Sequence, residues 1–115
     1  MSKIKIHAII CNVPDESGTD EIFLKVENLK IWPVNSKFLK IGVDEVLDVN
    51  VSRNVDGDWL ELELWDFDYT SRNDHLGSFH LDLKQEQGHY GTILSNNTEV
   101  SEHADYMINW ELFPE

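Results

Sequence analysis

The clearest strand signal in the chain is the run Leu60-Glu61-Leu62-Glu63-Leu64, in which apolar and charged residues alternate strictly. A period of two places the three leucines on one face of an extended chain and the two glutamates on the other. Helix templates fit this run poorly. The pattern therefore predicts a strand with one face in a hydrophobic core and the other in water.

The same alternation recurs from one end of the chain to the other. Further apolar–polar runs cover residues 4–10, 22–26, 47–51, 79–83 and 106–112. In the first run, Ile4, Ile6, Ala8 and Ile10 are expected to share the buried face. Turn-forming Pro, Gly, Asn and Asp fall between the runs, which predicts an all-β, antiparallel β-sandwich of about eight strands. One of these strands is expected near residues 90–94, and only residues 84–88 fit a turn of helix.

Composition points to one globular domain over residues 1–115. The chain has 9 Lys and Arg against 22 Asp and Glu, a formal net charge of −13, and 41% hydrophobic residues, enough for a core. The acidic balance argues against a nucleic-acid interface, which needs clustered basic residues. A bare anionic membrane should also repel the chain unless something cancels the charge.

Neither a disulfide nor an export signal is expected. The single cysteine, Cys11, cannot close an intrachain bond. Its four-residue spacing from His7 favours a structural role over a thiol nucleophile. The first ten residues are too short and too polar for a signal-peptide core. We therefore expect the protein in the cytoplasm, either free or as a peripheral protein on the membrane surface. Nothing in the sequence favours one oligomeric state.

Three acids follow the Leu60–Leu64 run. The same strand phase carries Asp66 and Asp68 to the leucine side, about 7 Å apart, and Asp74 comes after a segment long enough to curl back over them. Like charges brought together repel each other, so a cation is expected among them. Oxygen ligands on flexible loops favour Ca²⁺ over Mg²⁺ or Zn²⁺.

Two segments resemble the calcium loops of a known family. The run Leu62-Glu63-Leu64-Trp65-Asp66-Phe67-Asp68-Tyr69-Thr70-Ser71-Arg72-Asn73-Asp74-His75-Leu76-Gly77-Ser78 closely resembles the third calcium-binding loop and following strand of a C2 domain, particularly of the protein kinase C kind. The segment Pro14 to Val26 resembles the first calcium loop of that family. The resemblance implies a Greek-key C2 sandwich that is not an enzyme.

The resemblance also implies a ligand set and a mode of action. The implied ligands are the carboxylates of Asp15, Asp20, Asp66, Asp68 and Asp74 and the main-chain carbonyl of Phe67. About two Ca²⁺ ions are implied, bridged by Asp66 and Asp68. Two ions would change the formal charge from −13 to about −9. The loaded tip would then dock on an anionic phospholipid membrane or on a protein partner.

The chain also departs from the family pattern. The first loop is one residue shorter than usual, and the lysine-rich strand that reads phosphoinositides in some members is reduced to Lys37 and Lys40. Asp44 is a further candidate acid in the second tip loop. These departures favour an alternative, a calcium-independent protein-interaction or scaffold module of the same fold.

Other polar and aromatic residues have two interpretations. Tyr69, Arg72 and His75 either contact lipid head groups or a partner, or form a solvated loop. The five histidines lack the sequence spacing of a zinc site. Core packing or loop anchoring is expected of the four tryptophans, Trp32, Trp59, Trp65 and Trp110.

Overall fold

The computed structural model describes residues 2–114; residues 1 and 115 of the predicted domain lie outside this range. Ten strands are β1 (Ser2–Val13), β2 (Thr19–Val26), β3 (Leu29–Trp32), β4 (Leu39–Gly42), β5 (Val46–Val55), β6 (Trp59–Asp66), β7 (Asp74–Asp82), β8 (Gly88–Ile93), β9 (Ser95–Asn96) and β10 (Asp105–Phe113). The described residues contain no helix, so the helical turn predicted at residues 84–88 is wrong. The strand predicted near residues 90–94 is confirmed as β8.

The strands form two antiparallel sheets. One sheet has the order β5-β1-β10-β8, and the other has the order β3-β2-β6-β7-β9, with β4 also paired to β2. The chain passes repeatedly between the sheets, so β1 pairs with β5 and β10 rather than with β2. The predicted β-sandwich with Greek-key connections is therefore confirmed.

One hydrophobic core lies between the two sheets. Leu62 and Leu64 of β6 are fully buried, whereas Glu61 faces water, as the alternation predicts. The largest buried side chains are Trp110 and Tyr106. None of the described residues forms a helix of the length and hydrophobicity that a membrane crossing requires.

A β-bulge in β1 changes which residues are buried. Ile9 and Cys11 are fully buried, whereas Ala8 and Ile10 are only half-buried. Both ladders of β1 shift register between Ile6 and Ala8. An extra residue at a bulge reverses the phase of the side chains that follow it. The predicted burial of Ala8 and Ile10 is therefore wrong, although it is right before the bulge.

The tryptophans divide between the core and the outer surface. Trp32 and Trp110 are buried, as predicted, but Trp59 is 58% exposed. Because the leucines of β6 face inward, alternation turns Trp59 outward, where the Lys84 ammonium lies 5.5 Å from its ring centroid. The packing role predicted for Trp59 is wrong for this reason.

Gly77 marks a close approach between β7 and β9. Its φ is +158°, and a Cβ atom there would lie 2.3 Å from the Ser95 carbonyl oxygen and 3.0 Å from the Asn96 Cα. Both contacts are backbone atoms, so β9 would have to move. We expect Gly77→Ala to lower the free energy of unfolding by about 2–4 kcal/mol, measured by urea unfolding with tryptophan fluorescence.

Gly88→Ala is the matched control for this substitution. Gly88 has a similar φ of +151°, but no atom lies within 4 Å of the position of its Cβ. In this variant, only the strain of a positive φ in a residue with a Cβ should lower the free energy of unfolding, by about 1–2 kcal/mol. If the two variants lost the same free energy of unfolding, the close contact of β7 with β9 would not contribute to the cost of Gly77→Ala.

Candidate metal centre

Three neighbouring strands bring acids from distant segments to one end of the sandwich. In the order β2-β6-β7, Asp20 lies at the start of β2, Asp66 at the end of β6 and Asp74 at the start of β7. Asp66 pairs directly with Asp74, and with Ile22 on the other side. Because antiparallel neighbours run in opposite directions, these three acids meet at the same edge.

The carboxylates form two groups that share Asp66. In the first group, oxygens of Asp15, Asp66 and Asp74 all lie within 4.8 Å of one another, and in the second those of Glu16, Asp20 and Asp66 do the same. We call these five residues the acidic cluster. In residues 2–114, the ion pairs shorter than 4.0 Å all involve Glu111, so no basic side chain neutralises the cluster at that distance.

Glu16 was not among the residues expected from the sequence. The structure places it in the acidic cluster, and its pKa is raised by burial and then by the charges of Glu21 and Asp20. Its position next to Asp15 is the only sequence signal for it. The Asp74 pKa is raised in the same way, first by burial and then by the charges of Asp15 and Asp68.

Asp20 organises the first loop from inside the protein. Its buried carboxylate accepts hydrogen bonds from the N–H groups of Asp15 at 2.8 Å and Glu16 at 3.0 Å. It also accepts one from the hydroxyl of Tyr106 in β10. Burial, followed by the Asp20 hydrogen bond, raises the pKa of Tyr106, which keeps the hydroxyl protonated as a donor. Strand alternation placed Tyr106 in the core but did not reveal this bond.

Asp66 has a buried oxygen without a partner. The side chain is 1% exposed. Its Oδ1 accepts a hydrogen bond of 2.9 Å from the Glu21 N–H, whereas Oδ2 has no partner among the described residues. Burial, opposed by the Glu21 bond and reinforced by the charges of Asp20 and Glu16, raises the pKa of Asp66 to about 8. A buried carboxylate in this state needs either a proton or a cation, so the donor set fits a divalent ion.

The Asp68 carboxylate is turned toward its own loop. It accepts hydrogen bonds from the Thr70 N–H and hydroxyl at 2.9 and 3.1 Å and from the Ser71 hydroxyl at 2.8 Å. The Thr70 N–H is the main cause of its lowered pKa. Asp68 belongs to neither carboxylate group among the described residues. Its Oδ2 accepts only the Ser71 hydroxyl, which leaves a lone pair of that oxygen for the predicted role as a ligand.

Phe67 connects the acidic cluster to a neighbouring aromatic cluster. Its N–H donates a hydrogen bond of 2.7 Å to the Glu21 carbonyl oxygen, which holds the loop beside β2. Its ring stacks on Phe38 at 5.1 Å and meets the edge of Tyr69 at 4.9 Å. Tyr69 is 76% exposed. We call Phe38, Phe67 and Tyr69 the aromatic cluster; Phe38 lies in a non-periodic segment and was not expected from the sequence.

The remaining candidates lie outside the acidic cluster. Asp44 is exposed, and its N–H donates to the carbonyl of Cys11 at 2.7 Å. His75 stacks on Trp65 at 4.9 Å, while Arg72 is exposed. Cys11 is fully buried, and burial raises the pKa of its thiol, which disfavours the thiolate that a nucleophile needs.

Comparison with known proteins identifies the fold. No protein-family model matches the chain, and no curated protein matches it. Among solved structures, a C2 domain of plant extended synaptotagmin 1 is similar, with a TM-score of 0.50 and 17% identity, over 99% of this chain and 95% of that one. The chain therefore has the fold of a C2 domain, as predicted.

Proposed function

From the C2 fold and the acidic cluster, we propose that this chain is a calcium-binding module that docks from the cytoplasm on anionic phospholipid membranes when Ca²⁺ is bound. The observation that carries the proposal is the unpartnered, buried Oδ2 of Asp66, which belongs to the carboxylate common to both groups. A hydrogen-bond donor is absent there among the described residues, and a cation would supply the missing partner.

Each carboxylate group would hold one ion. Asp15, Asp66 and Asp74 would hold the first, and Glu16, Asp20 and Asp66 the second. Ca²⁺ takes six to eight oxygen ligands, so the predicted ligands Asp68 and the Phe67 carbonyl, or lipid phosphate oxygens, would complete the shells. Asp20 can take part while keeping its hydrogen bonds, because each carboxylate oxygen has two lone pairs.

Two ions would change how this end of the sandwich meets a membrane. Five carboxylates carry a formal charge of −5, which two Ca²⁺ ions bring to about −1. The repulsion of anionic head groups would be largely removed, and open coordination positions would accept phosphate oxygens. The neighbouring aromatic cluster, with Tyr69 exposed, offers amphipathic rings of the kind that lie at lipid–water boundaries.

A second candidate function is supported by hydrogen bonds that two of the carboxylates already accept without an ion. The Asp68 carboxylate is satisfied by Thr70 and Ser71, and the Asp20 carboxylate by two N–H groups and Tyr106. A module with this internal bonding could instead act without calcium and present its negative surface to a basic protein partner. Calcium titration separates these two functions.

The test of calcium binding is isothermal titration of the chelator-treated chain with CaCl₂. We expect about two ions per chain, and a stabilisation against heat of about 2.7 kcal/mol at a hundredfold excess over the dissociation constant. Asp74→Asn should weaken binding, because it removes one ligand of the first group. Asp56→Asn, an exposed acid in the turn between β5 and β6 at the opposite end, should bind as the wild type.

Vesicle sedimentation tests the membrane step separately. Phosphatidylserine vesicles should bind the chain in CaCl₂ but not in EDTA, and Tyr69→Ala should reduce this binding while leaving the calcium titration unchanged. Calcium binding without vesicle binding would rule out the membrane step and leave a calcium-dependent protein contact. No heat and no thermal shift at millimolar Ca²⁺ would favour the calcium-independent function.

A further inference from the structure

A second group of metal-ligating side chains lies on the other sheet. His7 of β1, His89 of β8 and Glu111 of β10 each offer one ligand atom, and these atoms lie within 4.8 Å of one another. His7 Nε2 is 3.0 Å from Glu111 Oε1, and His89 Nε2 is 3.7 Å from Glu111 Oε2. None of the three belongs to the acidic cluster.

Strand pairing brings these residues together despite their distance in sequence. Strand β10 lies between β1 and β8, and Glu111 is directly opposite His89. On its other side, Glu111 pairs with Lys5, next to the bulge between Ile6 and Ala8. The bulged residue is His7 itself, and the two imidazole rings stack at 5.7 Å between centroids.

The ligand chemistry differs from that of the acidic cluster. Two imidazole nitrogens and one carboxylate are a donor set that suits Zn²⁺ and not Ca²⁺, which takes oxygen ligands. With bonds of 2.0–2.1 Å, the ligand atoms around a tetrahedral zinc lie about 3.3 Å apart. The nitrogen–oxygen distances run to different oxygens of the carboxylate, 3.0 Å from His7 to Oε1 and 3.7 Å from His89 to Oε2, and one ligand atom from each residue lies within 4.8 Å of the other two. The rings and the carboxylate would therefore have to draw together by up to about 1.5 Å to enclose the ion.

The site also has an open side. A depression of about 370 Å³ is lined by His7, His89, Tyr90, Asn109 and Trp110. Three protein ligands leave the fourth position of a tetrahedral ion to water or to a further ligand. We propose that His7, His89 and Glu111 form a surface site for Zn²⁺ with one exchangeable position that faces this depression. The proposal does not depend on calcium binding at the acidic cluster.

Zinc titration of the intact chain tests the proposal. The titration is performed with ZnCl₂ in buffer that contains millimolar CaCl₂, so that calcium competes for the carboxylates at the other end. We expect one Zn²⁺ per chain. Loss of an outer-shell partner of a metal site costs about 10–100-fold in affinity, so loss of a direct ligand should cost at least as much.

Two histidine variants provide the comparison. His89→Gln removes a ligand whose side chain is 76% exposed, so its fold should be preserved, and it should lose at least about tenfold in zinc affinity. His80→Gln removes an exposed histidine of β7 in the other sheet and should bind zinc as the wild type. Asp74→Asn should also leave zinc binding unchanged, whatever it does to calcium.

Imidazole NMR signals identify the ligands directly. Zinc should shift the ring resonances of His7 and His89, while those of His75, His80 and His103 stay in place. The proposal is overturned if the wild type takes up no zinc in this titration. It is equally overturned if His89→Gln binds zinc like the wild type; His7 and Glu111 would then form only a hydrogen-bonded pair.

Discussion

In the absence of calcium, the chain should lose stability as the pH rises from about 4 to about 8. The cause is Asp66, whose pKa is raised from 3.8 to about 8, chiefly by burial. Between these two values, the folded chain holds a proton on Asp66 that the unfolded chain has released. Low pH therefore favours folding. The stabilisation from the Asp66 proton is complete below about pH 4 and lost above about pH 8.

The size of this effect follows from the difference between the two pKa values. About four units at about 1.4 kcal/mol each set an upper bound of about 6 kcal/mol on the Asp66 contribution. Glu16 and Asp74 have raised pKa values as well and act in the same direction, whereas the lowered pKa of Asp68 opposes them. Urea unfolding in EDTA at a series of pH values measures the sum.

Asp66→Asn assigns the effect to one residue. Asparagine keeps an oxygen to accept the Glu21 N–H, but it has no charge to bury. In EDTA at pH 8, the variant should be more stable than the wild type by several kcal/mol, and its stability should depend much less on pH. It should also lose the stabilisation by Ca²⁺. A variant with the wild-type pH dependence would contradict the role of Asp66.

Asp20→Ala should have the opposite effect on stability. Three donors converge on this buried carboxylate, the N–H groups of Asp15 and Glu16 and the hydroxyl of Tyr106. Alanine would leave the buried hydroxyl unpaired and release the first loop. An unsatisfied buried donor costs about 1–3 kcal/mol, and hydrogen bonds to a charged group contribute about 1.5–3 kcal/mol each, so we expect a loss of about 3–5 kcal/mol.

Two control variants separate the effect of losing hydrogen bonds to Asp20 from the effect of losing a negative charge. Tyr106→Phe removes one donor but leaves the two N–H bonds to Asp20, so it should cost only the contribution of one hydrogen bond to a charged group, about 1.5–3 kcal/mol. Asp15→Asn removes a charge from the same loop, and relief of repulsion should keep its stability in EDTA at or slightly above that of the wild type. If Asp20→Ala is no less stable than Tyr106→Phe, Asp20 does not organise the loop.

Much of the site was predictable because its elements are local. Strand alternation identified Leu62 and Leu64 as core residues and carried the same phase to Asp66 at the strand end, where the structure has it. The spacing along the loop after β6 indicated Asp74, whereas Asp15 and Asp20 were implied by the resemblance of the first loop to that of C2 domains. Each of these inferences uses neighbours within a few residues, which is the range over which a strand period acts.

The hydrogen-bond partners of these acids were not predictable. The donor to Asp66 lies 45 residues away, and the Tyr106 hydroxyl that binds Asp20 lies 86 residues away. Whether a carboxylate oxygen is satisfied or left free depends on such partners. Asp68 is predicted as a ligand by its spacing, but its carboxylate bonds to Thr70 and Ser71.

By itself, the sequence determined the longer strands, the inner face of β6 and the acid at its end, because side-chain alternation is a property of a single extended segment. Tertiary structure alone decided which residues after the β1 bulge are buried and which oxygen of Asp66 lacks a partner. It also decided that His7 lies beside His89 and Glu111. These features arise from pairing between strands that are distant in sequence, and the register of such pairs is set by hydrogen bonds across the whole sandwich.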